Sequence, residues 1–204
     1  LIVGASGGMG SAVASMLAKN SVHCALVGRD KHKLEDIFSL CSSYGNPCFT
    51  FSFDISNSSE IEKCCEEAIN NLGNLNYLIH CAGNYNKASA DECDLEVWDS
   101  ILDANIRSTY HFARHLLPQI NKTPGGAVIR INSRDAPHTG IGIQTAQKRA
   151  IDGYMEVRFE EVREYGTKVC TINPGFVNTS MVNPERLNPG LMMQPQDCDA
   201  RRSL

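Results

Sequence analysis

The sequence predicts a doubly wound α/β domain, a single parallel sheet with helices on both faces. Six short apolar runs of strand length alternate with stretches of helical period. The links between them are short and punctuated by Gly, Asn and Pro. No repeat, low-complexity tract or linker interrupts the 204 residues, so one domain is expected over 1–204.

Taken in order, Leu1-Ile2-Val3 is the first apolar run and ends directly on Gly4. Ser11 to Lys19 carries Val13, Met16 and Leu17 at helical spacing, and Asn20-Ser21 breaks it. Cys24 to Val27 is the second strand, and Lys31 to Leu40 a helix with Leu34, Ile37 and Phe38 on one face. Cys48 to Phe53 is the third strand. Asn57-Ser-Ser-Glu60 has the form of a capping box that opens a helix to Leu72. Tyr77 to Ile79 is the fourth strand, followed by a long helical stretch from Leu95 to Ile120, expected to stop near Pro118. Ala127 to Ile131 is the fifth strand, and Thr145 to Tyr165 a helix ended at Gly166. Val169 to Ile172 is the sixth, closed by Asn173-Pro174-Gly175. A further helix is expected to begin at Gln196. The chain reads as clipped at its N-terminal edge and short of an outer strand at the other end.

Composition removes several classes of function. With 42% hydrophobic residues the chain can bury a sizeable core, and a net charge of −4 is too small for a disordered polyelectrolyte. That balance leaves no basic field for nucleic acid. No apolar run approaches the roughly 18 residues of a membrane span, and no secretory signal precedes the first glycines. Nine cysteines show neither a CxxC pair nor zinc-ligand spacing, so no metal site is expected. They read as reduced thiols in the cytoplasm or another reducing compartment.

Gly4-Ala5-Ser6-Gly7-Gly8-Met9-Gly10 lies between the first strand and first helix. A turn this rich in glycine lets the backbone bend sharply and approach a diphosphate, which the helix N-terminus then faces with free N–H groups. Such turns also join strands to helices where no ligand binds. The position after the first strand of an alternating chain favours a nucleotide, as in the Rossmann scheme. At the end of the second strand, Gly28-Arg29 favours a 2′-phosphorylated dinucleotide over one held by an acid, although Arg29 could equally cap a surface turn.

With these residues the chain resembles the short-chain dehydrogenase/reductase family over nearly its whole length. The carriers are Gly4-x3-Gly8-x-Gly10, Asp54-Ile55, Cys81-Ala82-Gly83, Asn105, Ser133, Lys148 and Asn173-Pro174-Gly175 with Thr179, in the family's order. The resemblance implies an oxidoreductase using NADP(H) by preference, or NAD(H), on a small-molecule substrate. Gly4, Ser6, Gly8, Met9, Gly10 and Arg29 would hold the phosphates, and Asp54 and Ile55 the adenine. Cys81, Ala82 and Gly83 would pass beside the cofactor, and Pro174, Gly175 and Thr179 would cover the nicotinamide. Ser133 would bond the substrate oxygen, Lys148 the nicotinamide ribose, and Asn105 a water linked to that lysine. A homo-dimer or tetramer built on the Leu95–Ile120 and Thr145–Tyr165 helices is also implied.

Departures from the family pattern bear directly on chemistry. Gln144 stands in the slot of the family's tyrosine, one helical turn before Lys148. His80-Cys81 replaces two asparagines. A glutamine amide can donate a hydrogen bond to an oxygen but cannot deliver the proton that a tyrosine supplies. His138, in the loop between Ser133 and Gln144, is a candidate surrogate acid because imidazole titrates near neutrality. Either an oxidoreductase with altered proton transfer or a dinucleotide-binding scaffold that has lost turnover is consistent with these residues.

Overall fold

The structure is a computed structural model that describes residues 1–85, 93–133, 142–182 and 188–198. Strands β1 (Ile2–Val3), β2 (Cys24–Gly28), β3 (Cys48–Ser52), β4 (Tyr77–His80), β5 (Ala127–Ile131) and β6 (Lys168–Ile172) form one parallel sheet. Their order is β3-β2-β1-β4-β5-β6, which reverses direction beside β1. That reversal leaves a crevice outside the C-terminal ends of β1 and β4, where ligands of such sheets bind.

Helices α1 (Gly8–Lys19) and α2 (Lys31–Ser42) cover one face, packing Ala14, Ala18, Leu34 and Cys41 on Ile2 and Leu26. Helices α3 (Ser58–Leu72), α5 (Ser108–Ile120) and α6 (Gly142–Val162) cover the other, where Ile61, Phe112, Leu116 and Ile151 meet Val3, Val27, Leu78 and Val128. With both faces covered, β2 is buried along its whole length.

Local chemistry sets the boundaries. Asp30 caps α2 by accepting from Lys33 N–H at 3.2 Å. At α3 only half of the expected capping box forms. Asn57 Oδ1 accepts from Ser59 N–H at 3.2 Å, while the Asn57 N–H goes to Asp54 O instead of the Glu60 side chain.

The stretch expected as one helix from Leu95 to Ile120 is divided. Helix α4 (Leu95–Leu102) passes into a single π turn at Asp103–Arg107 and then into α5. Inside this joint the Ser108 and Thr109 hydroxyls donate to the carbonyls of Ala104 and Asn105 at 2.6 and 2.7 Å. The helix ends at Ile120, two residues past Pro118, as the sequence leads one to expect. A proline there gives up one backbone bond near the helix end, and the fully buried Leu116 and Ile120 hold the last turn in the core. Beyond Pro195 the described chain makes a short 3₁₀ turn, Pro195–Cys198.

Candidate active site

The glycine turn is built on β1. Gly4 and Ala5 both donate their N–H groups to Val27 O, at 2.8 and 2.9 Å, and Gly7 N–H returns to Gly4 O at 3.0 Å. Gly4 has φ +82°, and a Cβ there would lie 2.6 Å from the Ala82 nitrogen, so neither the conformation nor the space admits a side chain. A Cβ on Gly10 would stand 2.1 Å from Gly4 O, which welds the start of α1 to the turn. Helix α1 opens with no side-chain cap and no acidic residue in its first turn. Its leading N–H groups and positive dipole end are therefore available to an anion, and the residues present fit a diphosphate.

Around this turn the structure gathers most of the residues singled out from the sequence. Ser6 crosses the end of β2 with its Oγ against Gly28. Met9 is half-buried in the first turn of α1. Gly8 approaches Thr179 so closely that a Cβ would fall 2.6 Å from the threonine methyl, which brings the Pro174–Thr179 segment over the turn. Pro174 is buried and Gly175 exposed. Arg29 is exposed and lies 3.6 Å from the Asp54 carboxylate. The same carboxylate accepts from Ser56 N–H at 2.9 Å and Ser56 Oγ at 2.8 Å, which holds its pKa below the ordinary value. Asp54 is thus a turn former as well as a candidate adenine contact. Ile55 packs half-buried on the core.

The other end of the cleft is a polar cluster between β4, β5, the π turn and α6. Asn105 is fully buried, and its side chain clasps the backbone of Asn84: Oδ1 accepts from N–H at 2.8 Å and Nδ2 donates to O at 3.0 Å. Nδ2 also donates to Gln147 Oε1, and the Asn105 carbonyl accepts from Thr109. Protein groups thus engage both the side chain of Asn105 and one acceptor site of its carbonyl, which has a second lone pair. Ser133 and Lys148 are half-buried. Asn132 ties β5 to α6 by donating to Lys148 O at 3.1 Å and Asp152 Oδ1 at 2.9 Å, which fixes Ser133 relative to the lysine's turn of helix. Gln144 is fully buried one turn earlier on α6. His138 lies outside the described residues.

Three residues of this cluster went unremarked in the sequence or were read only as replacements. Arg130, 1% exposed on β5, donates from Nη1 to His80 O at 2.9 Å and Ile131 O at 2.6 Å. Its Nη2 lies 3.7 Å from where a Gly83 Cβ would be, so the guanidinium underlies the Cys81–Gly83 turn. Burial pulls its pKa down to about 10, which leaves it charged at neutral pH. His80, its register partner on β4, bonds Ser108 Oγ through Nε2 at 3.1 Å and meets Phe112 edge-on. Burial, then the charge of Arg130, pushes the His80 pKa well below its ordinary value, so the ring is neutral. Gln147, 1% exposed, is the partner of Asn105.

A signal existed for two of them. A charged residue inside Ala127–Ile131, a strand expected to be covered on both faces, has no solvent side to occupy. Gln147 stands three residues after Gln144, on the same side of the helix.

A cavity of about 410 Å³ lined by Leu1, Leu17, Leu75 and Tyr77 opens at the opposite end of the sheet and takes no part in this site. Among the described residues, no group of three or more His, Cys, Asp or Glu is placed to hold a metal, and no helix is long and apolar enough to cross a membrane.

The strand order and the glycine turn at its switch point are those of a dinucleotide-binding type of α/β domain. The family model for short chain dehydrogenase matches residues 1–190, and the chain belongs to that family of NAD(P)-binding oxidoreductases. An uncharacterized oxidoreductase of Staphylococcus epidermidis is 28% identical over 183 residues, covering 89% of this chain and 78% of its own. One from Staphylococcus aureus is 27% identical over 199 residues, covering 97% and 85%. Among solved structures, a short chain dehydrogenase from Burkholderia cenocepacia in complex with NADP superposes with a TM-score of 0.90 at 20% identity, over 97% of this chain and 85% of that one. A dehydrogenase/reductase from Sinorhizobium meliloti gives 0.88 at 25% identity, over 96% and 82%.

Proposed function

We propose that the chain is an NADP(H)-dependent oxidoreductase acting on a small hydroxy, carbonyl or enone compound, with proton transfer at the substrate oxygen altered. One observation carries this reading: a fully buried glutamine, Gln144, occupies the turn of α6 before Lys148, where the family places its tyrosine. When bound, the nicotinamide supplies or accepts hydride. The uncapped start of α1 and the glycine turn would receive the diphosphate, and Lys148 the ribose next to the nicotinamide. Arg29, exposed beside Asp54, would meet a 2′-phosphate, and the NADP complex of the Burkholderia structure supports the phosphorylated cofactor. Ser133 would donate to the substrate oxygen. Gln144 would add a second hydrogen bond without delivering a proton.

Free thiols throughout the described cysteines support a reducing compartment such as the cytoplasm. The outer faces of α5 and α6 carry Tyr110 and Phe159 exposed, which supports pairing of these helices in a homo-dimer or tetramer. Phe112 and Leu116 instead serve the chain's own core.

A second reading, a dinucleotide-holding scaffold without turnover, is favoured by the buried Gln144, which cannot deliver a proton, and by the tie of the Asn105 side chain to Asn84 and Gln147.

The deciding experiment titrates NADP(H) and NAD(H) by fluorescence and assays turnover of the natural protein and Gln144→Tyr on a carbonyl panel. Native turnover supports the enzyme. Tight binding with turnover only in Gln144→Tyr supports the scaffold. Failure to bind either dinucleotide overturns both readings.

A further inference from the structure

Arg130 carries a charge that its surroundings leave uncompensated. It stands near the C-terminal end of β5 and is 1% exposed, yet among the described residues no carboxylate lies within ion-pair distance of it. Nη1 is taken up by the carbonyls of His80 and Ile131, while the equally buried Nε and Nη2 meet no hydrogen-bond partner among those residues. Its register partner His80 is uncharged and offers no compensation. Burying an unpaired cation is strongly unfavourable, and such groups concentrate at functional sites.

The strand order says what this charge faces. With a diphosphate on the turn at the end of β1, Arg29 and Asp54 would take the adenosine half on the β2–β3 side. The other half must then run the opposite way, across the ends of β4 and β5 towards Ser133 and Lys148. The Cys81–Gly83 turn is the floor of that path, and Arg130 Nη2 lies 3.7 Å from the place of a Gly83 Cβ.

We infer that Arg130 is a specificity-determining residue that makes the site select the reduced dinucleotide over the oxidised one, an inference that rests on the proposed dinucleotide reading. The two forms share every phosphate and both riboses. They differ by one positive charge, carried on the nicotinamide ring of the oxidised form. A fixed cation repels that charge and leaves the neutral reduced ring unaffected. Lys148 acts with the same sign but is partly exposed, whereas the field of Arg130 arises in the interior, where salt screens little. Two unit charges about 10 Å apart, at an effective dielectric of about 20, shift an equilibrium roughly tenfold or more. The protein would load reduced cofactor and release the oxidised form readily.

The test measures dissociation constants for NADPH and NADP+ by isothermal titration calorimetry, on the native protein, Arg130→Gln and Arg130→Met, at low and high salt. The native protein should bind NADPH roughly tenfold or more tighter than NADP+. That ratio should hold as salt rises, since the phosphates are common to both ligands. Each variant should lower the ratio by roughly tenfold. Glutamine keeps a donor for the two carbonyls and methionine does not, so a similar loss in both assigns the effect to the charge. A purely architectural role would weaken both ligands together and leave the ratio where it was. Should neither variant fold, the native constants decide, and equal affinity for the two forms overturns the inference. A ratio unchanged in the variants, or a native preference for NADP+, overturns it while leaving dinucleotide binding intact. Binding of neither form to the native protein overturns the dinucleotide reading itself, and this inference with it.

Discussion

Gly8→Ala tests whether the glycine turn and the segment bearing Thr179 close on each other. The new Cβ would lie 2.6 Å from Thr179 Cγ2 and 3.0 Å from its Cβ. Carbon pairs rest at about 3.5–4.0 Å, so the two segments must separate by roughly 1 Å. Rotating the threonine side chain removes the methyl clash but leaves its Cβ in the way, so the segment itself has to move. Overpacking of this size costs about 1–3 kcal/mol, and the better helix propensity of alanine returns at most about 1 kcal/mol. The expected result is a net loss of roughly 1 kcal/mol in urea unfolding. NADPH affinity should fall about tenfold or more, because the displaced elements are those proposed to enclose the cofactor. Thr179→Ser, which deletes the methyl and keeps the hydroxyl, should be nearly silent alone. Combined with Gly8→Ala it should recover at least half the loss in stability and in binding, a coupling of about 0.5–0.7 kcal/mol or more, above the roughly 0.3–0.5 kcal/mol of independent sites. Additive effects in the cycle would refute the contact.

Two further outcomes follow from groups at either end of the cleft. Arg29→Ala removes an exposed ion pair and should change stability by less than about 0.5 kcal/mol. It should weaken NADP(H) roughly 10- to 100-fold while sparing NAD(H), the scale of a charge-assisted hydrogen bond, by fluorescence titration. His80 is held neutral in the folded chain, whereas an unfolded histidine takes up a proton below about pH 6.5. The unfolded state then binds more protons, so stability is level above that pH and declines below it. The slope approaches about 1.4 kcal/mol per pH unit for this one group. His111, also held low chiefly by burial, adds in the same direction. Urea midpoints from pH 7.5 to 5.0 should show the decline, and His80→Gln should flatten it; an unchanged slope in the variant would contradict the assignment.

The fold was largely legible because its determinants are local. Apolar runs such as Cys24–Val27 and the helical face of Leu34, Ile37 and Phe38 fall where β2 and α2 form. The glycines of the first turn could be read because their requirement, backbone against backbone, is written in the residue type itself. The π turn at Asp103–Arg107 was not legible. It arises from a one-residue slip of backbone bonding that leaves the apolar periodicity nearly intact, and the hydroxyls of Ser108 and Thr109 that accompany it are common in any helix. Gln144 could be placed by spacing from Lys148. That Gln147 and Arg130 would fill the space around Asn105 and Gly83 depends on how α6 and β5 meet in three dimensions.

What a buried arginine does beside a missing phenol bears on which substrates suit this site. A tyrosine delivers a proton to the oxygen on which charge builds, whereas glutamine leaves the charge in place. Among the described residues, the cations of the cluster are Lys148, half-buried on α6, and Arg130 beneath the Cys81–Gly83 turn, and both act on His80 as positive charges. Such an environment favours an anionic oxygen without neutralising it, as fixed charges do where a transition state turns negative. An enolate formed when hydride adds to the far carbon of an enone tolerates this, because it is a far weaker base than a simple alkoxide and can take its proton from water later. Under the proposed function, Gln144→Tyr should therefore raise reduction of simple ketones by about 10²–10⁴, the usual worth of a general acid. Enone reduction should change by less than about tenfold. Turnover with an enone and a ketone of matched size, measured on both proteins, gives the two ratios. Equal gains would mean that the proton limits both reactions and that the two cations do not substitute for it.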